Sequence, residues 1–422
     1  MSTKTEPPKS IKRFFIHAIA VLAGTGGVLA GAYFVLPAMF SVSYVNIPAA
    51  VVPLPVVEAQ PTAAHLERPM PLKALYMSQC VAGTPSFRNS IVDFVDTSAL
   101  NAIVIDIRDY TGKIAFPTDN PILTDFVSDA CGAKDMKEFV ASLHEKGIFV
   151  IGRITTFQNP YYAKLHPEEA VQKVGGGVWH DFKGLAFVDA GAKPYWETVV
   201  ELGKVSYRDM GFDELNFDYL RFPSDGPMKE ADYSWSAGKS KAHVLEEFYQ
   251  YLHDGLQPPG STPGKDAPIL SADLFGYVTV HEDDLGIGQV LERALPYFDY
   301  IYPMVYPSHY NKGFASLADI NSDPYKVVRA SMGPAVARER ATTTKIVSFA
   351  FTPISSTSPQ LYAKPSYPGK VVPWLQAFDY PVHYSPQMIQ EQIRATEEVG
   401  VMSYLFWDAS NKYVSLRQLL AH

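Results

Sequence analysis

From residue 73 onward, short β-branched and aromatic runs alternate with amphipathic helical stretches. This alternation constrains the fold most, because parallel strands need crossover helices and repeated β/α units build a parallel sheet. The runs are Lys73–Ser78, Ala102–Asp109, Ile148–Thr156, Glu214–Leu220, Ile269–Phe275, Tyr300–Tyr306, Lys345–Phe351 and Ser403–Asp408. The clearest helices are Ala133–Lys146, Pro194–Met210, Lys239–Asp254, Tyr325–Arg338 and Pro386–Val399. Gly147, Gly211, Gly255 and Gly400 follow four of them as stop residues. Eight such units in sequence predict an α/β fold of the (β/α)8 TIM-barrel type. An open doubly wound sheet is the alternative, but the glycine-rich phosphate turn after a first strand is missing. Gly175, Gly176 and Gly177 form a turn inside a loop, with no strand feeding into it.

Residues before 73 read differently. Lys4, Lys9, Lys12 and Arg13 precede an uncharged stretch from Phe14 to Val45. About 20 apolar residues span a bilayer, whereas signal-peptide cores usually run 7–15. Residues 14–40 are therefore expected to be a transmembrane anchor, with a cleaved signal peptide as the rival. The flanking positive charge places residues 1–13 in the cytoplasm and the barrel outside it, as a single-pass membrane protein of the cell envelope. Pro48, Pro53, Pro55, Pro61, Pro69 and Pro71 mark residues 41–72 as an extended linker. The barrel domain is then 73–422.

The formal net charge is −8 and no basic stripe follows residue 13. This excludes a general nucleic-acid binder, which needs clustered Lys and Arg. Only two cysteines are present, Cys80 and Cys131. They rule out a disulfide framework or a Cys-rich zinc site and leave room for one bridge in an exported domain.

Alternation along the strands sorts their faces. In the second run, Ile103, Ile105 and Ile107 oppose Asp106 and Arg108. In the fourth, Leu215, Phe217 and Tyr219 oppose Asn216 and Asp218; in the fifth, Leu270, Ala272 and Leu274 oppose Ser271 and Asp273. The apolar sets belong against helices, so the polar sets are expected to point inward. Arg153 joins them from the third run. The sixth adds Tyr302, Met304 and Tyr306, and the eighth is expected to add Tyr404, Phe406 and Asp408. Active sites of such barrels lie at the C-terminal strand ends. Asp106, Asp218, Asp273 and Asp408 should therefore converge at one mouth. One inward Asp could simply pair with Arg108 or Arg153; four together suggest chemistry. Like-charged carboxylates push their pKa values apart, which is the division of labour that glycoside hydrolysis needs.

The run GFDELNFDYLRFP, Gly211–Pro223, is the most specific stretch. With IDIRDY (Ile105–Tyr110), SADLFGY (Ser271–Tyr277), YIYPMVYPSHY (Tyr300–Tyr310) and YLFWD (Tyr404–Asp408), it resembles a bacterial domain family named "putative glycosyl hydrolase". That resemblance covers about residues 72–420 and implies a barrel glycosidase. A more distant likeness is to family-18 chitinases. Their fourth-strand pattern falls on Asp213, Asn216, Asp218 and Leu220, so the acid that donates their proton is absent here. Their sixth-strand pattern matches Met304 and Tyr306, with Pro307 where they carry Asp. The α-amylase and α-galactosidase-like barrels place an Asp nucleophile at the end of strand four, and Asp218 fits that pattern better.

The resulting assignment makes Asp218 the nucleophile or charge stabiliser and Asp273 the leading general acid, with Asp106 and Asp408 in reserve. Arg108, Arg153, Asn216, Arg221, Tyr306, Trp374 and Trp407 are the expected substrate-binding residues. No cofactor or metal is expected: there is no HExxH, and no GxSxG elbow signals a serine nucleophile. Long loops at 158–192 and 352–384 carry Tyr161, Tyr162, Trp179, Phe182, Tyr362, Tyr367, Trp374, Phe378 and Tyr380, as sugar-stacking candidates or satellite cores. The expected partner is a polysaccharide or oligosaccharide. The expected activity is glycoside hydrolysis, with a non-catalytic carbohydrate-binding barrel as the rival.

Overall fold

The computed structural model describes residues 63–357 and 359–421. The expected anchor over 14–40 lies outside the described residues. Among the described residues, no helix is long and apolar enough to cross a membrane.

The parallel strands are β1 (Lys73–Met77), β2 (Ala102–Arg108), β3 (Phe149–Thr155), β4 (Glu214–Asp218), β5 (Ile269–Phe275), β6 (Tyr300–Met304), β7 (Trp374–Gln376) and β8 (Tyr404–Trp407). They close into one eight-stranded barrel in sequential order, with β1 pairing to both β2 and β8. The crossovers carry α1 (Pro85–Asp96), α2 (Met136–Glu145), α3 (Lys193–Val205), α4 (Lys241–Leu256), α5 (Leu291–Ala294), α6 (Pro324–Arg340) and α7 (Pro386–Glu398), and α8 (Val414–Leu420) follows β8. Helix starts follow capping chemistry. Ser240 and Ser385 accept hydrogen bonds from the His243 and Met388 backbone N–H groups, and Pro386 occupies the first turn of α7. Gly211, at φ 89°, turns the chain into β4 through a left-handed conformation that a side chain would resist.

Two apolar layers result. Leu75, Ile103, Ile105, Val150, Leu215, Phe217, Leu270 and Leu274 pack outward against the helices. Ala74, Tyr76, Val104, Phe149, Ile151, Tyr302, Trp374 and Leu405 fill the interior.

Three expectations are corrected here. First, Lys345–Phe351 is not the seventh strand. It lies in an insertion between α6 and β7 that includes a small antiparallel sheet formed by Thr343–Thr344, Thr352–Pro353 and Tyr362–Ala363. The seventh strand is Trp374–Gln376, which runs beside β8. Second, the eighth strand has the opposite parity: Leu405 faces inward, whereas Tyr404 and Phe406 join the outer layer. An all-apolar strand carries no alternation to read, and a one-residue slip flips every side chain. Third, residues 63–72 are not a free linker. Leu66 N–H donates to Asp213 at 2.8 Å, Arg68 reaches Glu214 and Tyr302, and the buried Leu72 joins the interior layer.

Candidate active site

The C-terminal end of the barrel is organised by one buried cation. Arg153, on β3, lies between β2 and β4, in register with Asp106 on one side and Asn216 on the other. Its Nη1 donates to Asp106 Oδ1 at 2.6 Å. Its Nε donates to Asp218 Oδ2 at 3.1 Å, and Nη2 donates to the same oxygen. Asp273 Oδ2, on β5, stands 3.8 Å from Nε. One guanidinium therefore gathers three carboxyl groups from three strands. Burial works against the Arg153 charge, but Asp218 and Asp106 outweigh it and hold the group protonated.

The three acids do not share one environment. Asp273 is 1% exposed. Burial, reinforced by the Asp218 charge, pushes its pKa well above the usual carboxylate range, although hydrogen bonds from Asn216 and Trp374 oppose this. Asn216 Nδ2 donates to Asp273 Oδ1 at 3.0 Å and Trp374 Nε1 donates at 2.7 Å. Burial pushes Asp106 up to about 6, against the pull of Arg153 and Tyr76. The Tyr76 hydroxyl donates to Asp106 Oδ2 at 2.5 Å. Asp218 accepts from Arg153 on Oδ2, and from the Tyr219 backbone N–H on Oδ1 at 2.5 Å.

Above this cluster opens a cavity of about 410 Å³. Arg153, Asp218, Asp273, Arg221, Tyr306 and Trp407 line it, joined by Tyr219, Phe275, Tyr277, Met304, His309 and Tyr310. This is one charged floor under mostly aromatic walls, the composition of a small-ligand site. Trp407 stacks on Tyr76 with ring centroids 4.0 Å apart, and the Arg153 guanidinium lies 5.0 Å from the Trp407 ring. Burial and the charges of Asp273 and Asp218 push the Tyr306 hydroxyl well above its ordinary range, so it remains a hydrogen-bond donor.

The structure thus brings Asp218, Asp273, Arg153, Arg221, Tyr306 and Trp407 to one cavity. Asn216 and Trp374 support Asp273 from within the barrel, and Asp106 supports Arg153 from β2. Two expected residues are elsewhere. The register of β2 against β3 shifts between Asp106 and Arg108, so Arg108 pairs with Ile154, whose side chain faces the helices. Such a bulge re-aims the residue that follows it. Arg108 is consequently buried in the outer layer, donating to the Thr155 carbonyl and lying 5.6 Å from the Tyr195 ring. Asp408 caps a turn. Its oxygens accept from the backbone N–H groups of Ser410, Lys412 and Tyr413, and it lines a second, adjoining cavity rather than this one.

The family described as "Putative glycosyl hydrolase domain" matches residues 74–413. The chain belongs to this family. Among solved structures, it is similar to the PgaB (BpsB) glycoside hydrolase domain from Bordetella bronchiseptica, with 13% identity, TM-score 0.52, and 83% of this chain and 99% of that one covered. α-L-fucosidase isoenzyme 2 from Paenibacillus thiaminolyticus gives 10% identity and TM-score 0.55, covering 83% of this chain and 49% of that one. A hypothetical protein from Ruminiclostridium thermocellum ATCC 27405 is 29% identical over 50% of this chain and 98% of its own, with TM-score 0.41. The likeness to the first two is one of fold. No curated protein matches the chain.

In this glycosyl hydrolase family member, sequence reasoning passed over several lining residues. Phe275 continues the inward parity of β5 beyond Asp273, so the same alternation could have found it. His309, Tyr310 and Tyr277 come from loops after β6 and β5, where no periodicity exists to be read. Tyr219 has φ 52°, a left-handed conformation that is unusual for a bulky residue and sits directly after Asp218. The loop aromatics divide. Tyr162 and Trp179 are buried in packed layers, Phe182 is 79% exposed, and Phe378 and Tyr380 line a second cavity that shares His309 and Trp407 with the first.

Proposed function

We propose that the protein is a glycoside hydrolase that cleaves a glycan in this cavity with Asp218 as nucleophile and Asp273 as general acid. The observation that carries this reading is the pair itself. Two carboxyl groups on adjacent strand ends share Arg153 but differ in environment: Asp273 is driven toward its neutral, proton-donating form, whereas Asp218 receives the guanidinium and a backbone N–H. The Asp218 and Asp273 Oδ2 atoms lie 3.1 Å and 3.8 Å from the same Arg153 Nε. Their separation cannot exceed those two lengths combined. This favours the roughly 5–5.5 Å arrangement of retaining enzymes over most of the roughly 6.5–9.5 Å inverting range. In that sequence Asp218 attacks the anomeric carbon as Asp273 protonates the departing oxygen. Asp273, now ionised, then takes a proton from the water that releases the glycosyl group from Asp218. Tyr306 and Trp407 hold the sugar ring.

One observation favours a binding-only barrel: both Asp218 oxygens are already engaged, which tempers their nucleophilicity. Asp218→Asn separates the readings. On a polysaccharide that the wild type degrades, it should abolish turnover and leave binding nearly intact. A wild type that binds glycans and cleaves none across a broad panel would establish the binding barrel instead.

We further propose that residues 14–40 anchor the chain and that the barrel meets extracytoplasmic polysaccharide. The basic residues before the apolar stretch support that orientation. The Cys80–Cys131 bridge, with Cα atoms 4.5 Å apart, supports an oxidising compartment. Recovery of the full chain in the detergent-free soluble fraction would overturn the anchor.

A further inference from the structure

Arg153 and Arg221 both line the cavity, yet only one of them is neutralised. Arg153 is ion-paired to Asp106, Asp218 and Asp273. Arg221 is 7% exposed, and among the described residues it forms no ion pair; the Asp218 and Asp225 carboxylates act on it only from a greater distance. Its hydrogen bonds run from Nη1 alone, to the Phe222 carbonyl at 3.2 Å and Ser224 Oγ at 3.0 Å. Both acceptors are neutral. The left-handed turn at Tyr219 brings the chain back over the cavity, and the guanidinium is held between rings, 4.7 Å from that of Tyr219 and 4.9 Å from that of Phe275. Aromatic faces fix a guanidinium in place without cancelling its charge. A buried charge without an ion-pair partner is costly, and burial pulls the Arg221 pKa down even though the Tyr219 hydroxyl and the more distant Asp218 and Asp225 oppose it. Removing the guanidinium from water while leaving it without a contacting carboxylate makes sense if the missing anion arrives with the ligand.

We infer that Arg221 receives an anionic group of the substrate, so that the sugar bound in this cavity is acidic, carrying a carboxylate, sulfate or phosphate. This rests on the reading that the cavity binds a glycan, and it adds the chemical class. A guanidinium presents paired donors that match the planar carboxylate and the tetrahedral oxyanions alike.

The test is equilibrium binding rather than turnover, so it does not depend on catalysis. Full-length protein in detergent is titrated with glucuronate, glucose 6-phosphate, glucose 6-sulfate and glucose, using wild type, Arg221→Gln, Arg221→Lys and Asp218→Asn. Wild type should bind at least one anionic sugar about tenfold or more tighter than glucose, the scale of one charge-assisted hydrogen bond. The tightest of the three identifies the anion. Arg221→Gln should lose that preference while its glucose affinity holds, and Arg221→Lys should recover part of it. Asp218→Asn should keep it. Equal affinity of wild type for glucose and all three anions, or no binding of any anionic sugar, overturns the inference. So does an Arg221→Gln variant that weakens glucose and the anions alike. Hydrolysis of neutral glycans alone, with no anionic preference in binding, would remove this inference and leave the proposed hydrolase standing.

Discussion

At the lower end of β4, Glu214 is sealed. Ser271 and Tyr302 donate to its Oε1 at 2.6 Å and 2.5 Å, and Arg68 donates to Oε2 at 3.3 Å. At the upper end of the same strand, Asp218 also meets an arginine and adjoins a tyrosine, but it faces a cavity. The ingredients match: a buried carboxyl group, a guanidinium and phenol rings. The difference is completion. Below, the Glu214 charge is answered by Arg68, which returns from the segment before β1. Above, three carboxyl groups compete for Arg153, Arg221 has no ion-pair partner among the described residues, and aromatic walls leave room for a ligand. A closed ion cluster is part of the scaffold; an open one is poised to act. This matches the general division of such barrels, with stability at the N-terminal face and chemistry at the C-terminal face.

The sharpest way to break the comparison is to neutralise one acid at the top. Asp218→Asn should reduce turnover about 10³-fold or more, since it removes the proposed attacking group, while urea unfolding moves little. Large destabilisation with turnover retained would make the upper cluster structural as well.

The converse at the bottom is Arg68→Ala, which strands Glu214. Breaking a buried pair costs about 3–5 kcal/mol, and because Arg68 is only partly buried the cost should fall near the lower end of that range. Turnover per folded molecule should hold. Truncation tests the same point. A chain beginning at residue 63 should melt like the whole barrel domain, and one beginning at residue 73 should melt well below it. Equal melting of the two would return residues 63–72 to the status of a linker.

A third effect concerns the upper rim, tied covalently by Cys80–Cys131 across a sequence separation of 51. Replacing both cysteines with serine should cost about 2–4 kcal/mol by freeing the unfolded chain. No change in denaturation midpoint on reduction would mean that the rim is held without the bridge.

What could be read from the sequence follows from where polar residues alternate with apolar ones. β2, β4 and β5 each carry acids on one face and aliphatic side chains on the other, and so Asp218 and Asp273 were legible as an inward pair. β8 reads Tyr-Leu-Phe-Trp and offers no contrast, so its parity was misread and Asp408 with it. β7 is only three residues long, and its pattern is weaker than that of Lys345–Phe351, which tertiary packing leaves outside the barrel. Arg108 was misplaced by a bulge, which alternation cannot anticipate. Arg68 was hidden among prolines, and its partner Glu214 lies 146 residues away in sequence. Contacts of that span depend on closure of the barrel, not on local pattern.

The smallest effect is also the most diagnostic of the proposed acid. Trp374 Nε1 donates to Asp273 Oδ1, and that bond favours the ionised form against the burial that raises the pKa. Trp374→Phe removes the donor and keeps most of the apolar volume. The Asp273 pKa should therefore rise further, because the opposing hydrogen bond is gone. If Asp273 must be protonated to donate, kcat/KM falls on the alkaline side as it ionises, and in the variant that fall should begin at a higher pH. Stability should move with it. Asp273 in the folded state holds its proton more tightly than in the unfolded chain, so its stabilising contribution is complete below the unfolded carboxyl pKa and is lost as pH rises through the folded one. In Trp374→Phe that loss should begin at the same pH, extend to a higher one and be larger in total, alongside a pH-independent cost of about 1 kcal/mol for the missing bond. A purely structural Trp374 would lower stability at every pH and leave the alkaline limb where it was. A limb that moves down instead would mean that another group sets it, and His309, whose pKa burial lowers, is a candidate in the cavity wall.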